Sequence, residues 1–133
     1  MLIASRAKMA GSGAAFCAGT ILVGKTLGLV GMGRVGSRVA RICTGAFQMR
    51  VLTFDPYVNP QRTHELGIEA VSRLDALLAA SDFLSLHCQL TEETRGMIGA
   101  RELRAMKPTA YLINTARAQI VEEAALVQAL REG

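Results

Sequence analysis

Six residues constrain this chain more than any others: Gly31-Met32-Gly33-Arg34-Val35-Gly36. They stand directly behind a short apolar run, Thr26-Leu27-Gly28-Leu29-Val30. They stand directly ahead of a segment in which Val35, Val39, Ile42 and Ala46 recur at helical spacing. A buried strand, a glycine turn and an amphipathic helix in that order predict the opening of a parallel strand-helix-strand unit. Gly31 permits the tight turn, Gly33 lets a ligand approach the backbone, and Gly36 lets the helix lie close on the strand. The first helical N–H groups have no partner inside the helix and favour an anion such as a diphosphate. The same spacing predicts Val35, Val39, Ile42 and Ala46 as the core face, with Arg34, Arg38 and Arg41 on a solvated face.

Further apolar runs follow. Val51-Leu52-Thr53-Phe54 ends at Asp55-Pro56, a short strand is expected around Glu69-Ala70-Val71, and Phe83-Leu84-Ser85-Leu86 and Ala110-Tyr111-Leu112-Ile113 complete the set. Between them, Ser72-x-x-Asp75 reads as a helix start with Leu74, Leu77 and Leu78 behind it, and Thr91 reads as the cap of a turn. Arg101 to Met106 reads as a helix stopped by Lys107-Pro108, and a last helix opens at Glu122-Glu123 with Leu126, Ala129 and Leu130 as its buried stripe. Strands that are apolar almost throughout, alternating with helices, predict a parallel sheet covered on both faces. The fold class is α/β: a doubly wound, Rossmann-type dinucleotide-binding domain of about five strands, forming one domain over residues 1–133.

Composition bounds the function. Half of the 133 residues are apolar and 20% are charged, which excludes a disordered tail. The net charge of +4 comes from scattered Arg and Lys without a basic run. With 5% aromatics, this argues against nucleic-acid binding. Cys17, Cys43 and Cys88 are an odd count without Cys-x-x-Cys spacing, so reduced thiols in a cytoplasmic protein are expected, and no metal site. The uncharged stretch from Met9 to Gly24 is too short and too rich in glycine to span a membrane.

Two further positions carry chemistry. Asp55 ends the second run, 19 residues after Gly36, where a carboxylate hydrogen-bonds the adenosine ribose and repels a 2′-phosphate, favouring NAD over NADP. Asn114-Thr115-Ala116-Arg117 follows the last apolar run, at the sheet edge where ligands of open α/β folds lie, although spacing alone favours a solvated loop arginine at 117. His87 follows the Phe83–Leu86 run and reads as a partly buried loop histidine. His64 lies in a polar loop and carries no signal.

These residues resemble the NAD-binding domain of the D-isomer-specific 2-hydroxyacid dehydrogenases. The resemblance rests on Gly24-Lys25-Thr26-Leu27-Gly28-Leu29-Val30 with the glycine motif and on Phe54-Asp55-Pro56-Tyr57. It continues through Ser85-Leu86-His87, Thr94-Arg95-Gly96, Met106-Lys107-Pro108-Thr109-Ala110 and Ile113-Asn114-Thr115-Ala116-Arg117, reaching from about Gly19 to Gly133. It implies that Arg34 and Val35 hold the pyrophosphate through their backbone and that Asp55 holds the adenosine ribose. It further implies that Cys88, Gln89 and Thr94 line the adenosine side, that Thr115 and Ala116 flank the nicotinamide, and that Arg117 holds and polarises a 2-oxo acid for hydride transfer. The implied cofactor is NAD, the implied substrate of the parent enzyme a 2-hydroxy or 2-oxo acid, and the implied assembly a homodimer formed through the segment before the first strand.

The chain departs from the family pattern at Gln89, where Pro is common, at Ala118 and Gln48, where Gly is common, at Gly13-Ala14, where a Trp is common, and at Glu122, where Asp is usual. If position 48 needs a positive φ, glutamine there costs about 1 kcal/mol. A sixth strand, a glutamate, an acid-base histidine and the substrate domain, all part of the family pattern, are missing. The expectation is therefore cofactor binding by this chain without efficient turnover, and a sheet edge left partly uncovered. A dinucleotide-sensing, corepressor-like interaction protein is the alternative. A methyltransferase shares the glycine loop but not the Asn114–Arg117 motif.

Overall fold

A computed structural model describes residues 2–5 and 21–132. Five strands run parallel: β2 (Thr26–Val30), β3 (Arg50–Phe54), β4 (Glu69–Ala70), β5 (Phe83–Leu86) and β6 (Tyr111–Asn114). Their order across the sheet is β6-β5-β2-β3-β4. The chain steps from β2 outward to β3 and β4, then returns through α3 (Leu74–Ala80) to the other side of β2. That reversal makes the carboxyl ends of β2 and β5 a topological switch point, where open α/β sheets bind ligands. Register completes the arrangement. Val30 pairs with Phe54 and with Leu86, and Leu86 pairs with Asn114, so residues 31, 55, 87 and 115 leave the sheet side by side along one edge.

Alternate strand residues feed two cores, as a sheet covered on both faces requires. On one face α3, α4 (Ala100–Ala105) and α5 (Glu123–Glu132) pack over Leu52, Leu84, Leu86 and Leu112, with Leu77, Leu78 and Ile98 fully buried among them. On the other, α1 (Arg34–Gly45) covers Leu27, Leu29 and Val51, with Ala40, Met49 and Ile68. At the opposite end of the sheet, Asp82 accepts from Thr26 N and from Lys107 Nζ at 2.8 and 2.9 Å, tying the turn before β6 to the start of β2.

Several local expectations are corrected. Only Val39 of the expected apolar stripe of α1 packs toward the sheet, half-buried: Val35 is 58% and Ile42 53% exposed, and Ala46 is exposed as well. The buried stripe is Gly36, Ser37 and Ala40, one residue out of phase. The cause is the close approach of the helix to the glycine turn, which leaves room on that side only for small side chains. The polar segment around His64, expected as loop, forms α2 (Pro60–Glu65), with Asn59 Oδ1 accepting from Gln61 N at 2.9 Å and Pro60 in the first turn. Arg73, not Ser72, is the N-cap of α3. The uncovered edge is also corrected: the backbone of β1 (Leu2–Ser5) pairs antiparallel with β6, from Leu2 opposite Asn114 to Ser5 opposite Tyr111. The sheet thus has six strands, and the sixth comes from the beginning of the chain. Cys17 and the Gly13-Ala14 departure lie outside the described residues.

Candidate functional site

The glycine turn is held from below. Gly31 has φ +95°, and a Cβ there would sit 2.8 Å from Cys88 N and 2.9 Å from Cys88 Cα, so the turn and the end of β5 meet backbone to backbone. A Cβ on Gly36 would collide with the Gly31 carbonyl oxygen. Gly33 is different: its φ of −67° suits any residue, and nothing lies within 4 Å of a Cβ built on it. No contact with the protein demands a glycine there. Ser37 Oγ donates to the carbonyls of Met32 and Gly33 at 3.0 and 2.7 Å, fixing the turn onto the helix. The N-terminus of α1 carries no side-chain cap, so the first-turn N–H groups point past Gly33 without an intrahelical acceptor.

Asp55 lies beside this turn, as expected. Its Oδ2 accepts from Met32 N at 2.7 Å and its Oδ1 from Tyr57 N at 2.9 Å, so the carboxylate braces the turn while keeping lone pairs free. Burial pushes the Cys88 thiol above its ordinary range. The backbone hydrogen bond of Cys88 works the other way, and the nearby Asp55 carboxylate adds to the rise. His87 is half-buried and held below its ordinary range by burial. Its Nε2 is 3.0 Å from Ser85 Oγ, which turns the ring back along its own strand. After Cys88 the chain closes on itself: Thr94 Oγ1 donates to Gln89 O at 2.7 Å and accepts from Thr91 N at 2.8 Å. The Thr94 hydroxyl is therefore engaged within its turn, and Gln89 is exposed.

Beyond β6, Thr115 is exposed and Ala116 half-buried. Arg117 is exposed, and among the described residues no carboxylate pairs with it. Its Nη1 donates to Ala116 O at 2.9 Å. The structure thus brings Gly31, Gly36, Asp55 and Cys88 into one cluster around the open Gly33, with Arg34 and Val35 exposed on the first turn. Thr115, Ala116 and Arg117 stand two strands away along the same edge. Sequence reasoning missed Ser37 and the Ser85–His87 pair, because hydroxyls at those positions have no distinctive spacing. Among the described residues no group of three His, Cys, Asp or Glu could hold a metal ion, and no helix is long and apolar enough to cross a membrane.

The family described as D-isomer specific 2-hydroxyacid dehydrogenase, NAD binding domain, matches residues 4–133. The chain belongs to that family. A glyoxylate reductase of Korarchaeum cryptofilum is 53% identical over 110 residues, covering 83% of this chain and 32% of that protein. D-lactate dehydrogenase from Escherichia coli superposes with a TM-score of 0.81 at 38% identity, covering 86% of this chain and 36% of that one. D-lactate dehydrogenase with NAD+ from Lactobacillus jensenii gives a TM-score of 0.78 at 38% identity, covering 85% and 33%. The chain spans about a third of the length of each of these relatives. As an NAD-binding domain of this dehydrogenase family it carries a donor set that fits the cofactor: an uncapped helix N-terminus reached past an unobstructed glycine, and a carboxylate one strand away.

Proposed function

We propose that this chain forms the NAD-binding domain of an oxidoreductase that moves a hydride between NAD(H) and a D-2-hydroxy acid/2-oxo acid pair. The observation that carries the proposal is Gly33, a glycine that no contact in the protein requires, at an open approach to free N–H donors. Bound NAD supplies the hydride acceptor or donor. The backbone N–H groups of Arg34 and Val35 hold the diphosphate, with Gly31, Gly33 and Gly36 giving it access. Asp55 accepts from the ribose hydroxyls and, being negative, disfavours a 2′-phosphate. Cys88, Gln89 and Thr94 border the adenosine, and Thr115 and Ala116 the nicotinamide. Arg117, exposed and without an acidic partner among the described residues, clamps the substrate carboxylate with its planar fork. Reduction of the ketone also needs a proton for the alkoxide. His87 faces Ser85, so we assign the proton donor to a residue other than His87. Two copies pair through the segment ahead of β2, where Ile21 is 76% and Val23 58% exposed.

Amide NMR of the 15N-labelled chain tests the site. Added NAD is expected to shift the signals of Gly31 to Gly36, Asp55, Cys88, Gln89, Thr115 and Ala116 and to leave α5 unmoved. Shifts confined to other surfaces would overturn the assignment.

A further inference from the structure

Asn114 is the last residue of β6 and is 5% exposed. A carboxamide buried this deeply must find hydrogen-bond partners inside the protein, or its desolvation is uncompensated. Both its partners lie in the loop that carries Arg117. Oδ1 accepts from Ala116 N at 3.0 Å and Nδ2 donates to Arg117 O at 2.9 Å. Between these two points, Ala116 O accepts from Arg117 Nη1 at 2.9 Å. The three bonds close a ring: the amide grips the N–H of 116 and the carbonyl of 117, and the guanidinium folds onto the carbonyl between them. Arg117 O also accepts from Ile120 N at 3.2 Å, which starts the 3₁₀ turn Ala118–Ile120 and anchors the far side of the loop to a fully buried residue.

We propose that Asn114 is a positioning residue: its buried amide sets the direction from which the Arg117 guanidinium meets a substrate carboxylate. This rests on the reading of Arg117 as the carboxylate clamp. An arginine side chain on a free loop would lose several rotatable bonds on engaging a ligand, whereas one aligned beforehand loses little. The strand end supplies the rigid base, because β6 lies between β5 and β1 with Asn114 in register with both Leu86 and Leu2. The asparagine carries both a donor and an acceptor, and the bracket uses one of each. Asn114→Asp keeps the size and the acceptor for Ala116 N but sets an oxygen against the Arg117 carbonyl. Asn114→Leu removes both bonds.

The test uses the 15N-labelled chain with saturating NAD and two readouts. The first is the Nε–Hε signal of Arg117 and its heteronuclear NOE. The second is the affinity for oxamate, an unreactive amide analogue of a 2-oxo acid. In the unsubstituted chain the Nε–Hε signal is expected to be ordered and to shift on oxamate addition. In N114D and N114L it should become mobile and oxamate affinity should fall about tenfold, the scale of one lost hydrogen bond, while the Kd for NAD stays within about twofold. Unchanged Arg117 order and oxamate affinity in the variants would overturn the proposal, and so would unfolding of both variants, which would make Asn114 a folding residue instead. If oxamate leaves Arg117 unshifted in the unsubstituted chain, the clamp reading fails. The Nε–Hε order in the variants then still decides the positioning.

Discussion

Gly33→Ala and Gly36→Ala should separate ligand access from packing, although they lie three residues apart in one motif. At Gly33 the backbone φ of −67° accepts alanine and nothing lies within 4 Å of the new Cβ. Removing a glycine from the unfolded ensemble at such a site stabilises by about 0.4–1 kcal/mol. At Gly36 the Cβ meets the Gly31 carbonyl. That carbonyl has to shift to make room, and the turn that carries it lies close against the Cys88 backbone. Overpacking there costs about 1–3 kcal/mol, partly offset by the helix preference for alanine, about 1 kcal/mol. For a domain of this size each kcal/mol moves Tm by about 3–5 °C. Gly33→Ala should therefore melt at or slightly above the unsubstituted chain, and Gly36→Ala up to several degrees below it. Their NAD affinities should not follow that order. The Gly33 methyl blocks the approach to the first-turn N–H groups, and losing one hydrogen bond to a charged phosphate, about 1.5–3 kcal/mol, weakens Kd by about tenfold to a hundredfold. Scanning calorimetry and NAD titration of both variants check this. A Gly33→Ala chain that binds NAD with unchanged affinity, or that is destabilised as much as Gly36→Ala, would refute the reasoning.

Other perturbations follow from single features. Gln48 has φ +49°, so Gln48→Gly should raise the urea midpoint by the equivalent of about 0.5–1 kcal/mol with an unchanged m-value; no rise would mean the backbone has relaxed elsewhere. Burial would raise the Asp82 carboxyl, but the Thr26 N–H and the Lys107 ammonium outweigh it and hold it below the ordinary aspartate range. Its contribution is therefore full above about pH 4 and lost as pH falls through the depressed value. Because Lys107 is 37% exposed and partly screened, Asp82→Asn should cost only about 0.5–1 kcal/mol at pH 7 and nearly nothing at pH 2 in denaturant titrations, and an equal cost at both would count against the ion pair. Leu84 is fully buried between β5 and the α3–α5 layer, so Leu84→Ala should cost about 2–5 kcal/mol, read from the same titrations. Light scattering across concentrations should give a dimer; a monomer throughout would remove the pairing through Ile21 and Val23.

Much of the fold is legible in the sequence because a parallel strand buried on both faces must be apolar almost throughout, and the β2, β3, β5 and β6 runs each stand out for that reason. The candidate site is legible for a related cause: parallel register brings the residue after each strand to one edge, so Gly31, Asp55, His87 and Thr115 can be lined up from strand ends alone. The phase of α1 is not legible. Val35-Val39-Ile42 and Gly36-Ala40 have the same period, and hydrophobicity alone selects a stripe of which only Val39 packs on the core. The packing of Gly36 against Gly31 selects the right one. The helix at residues 60–65 does carry a signal, the Asn59-Pro60 pair that caps and starts it, but it lacks the apolar stripe by which longer helices are recognised. The β1–β6 pairing depends on a four-residue strand meeting an edge more than 100 residues away, with Ile3 opposite Ile113 and Ala4 opposite Leu112, a non-local match that no local pattern announces. The bracket around Arg117 was hidden for another reason: Asn114 belongs to the motif in sequence, but which backbone groups its amide meets depends on the fold of the loop.

The most direct test of the account is calorimetric titration of the chain with NAD and, separately, with NADP. One NAD site per chain, with NADP weaker by at least about tenfold because the proposed ribose contact would set the Asp55 carboxylate against the 2′-phosphate, is the expected result. Absence of saturable NAD binding, or NADP binding as tight as NAD, would contradict it.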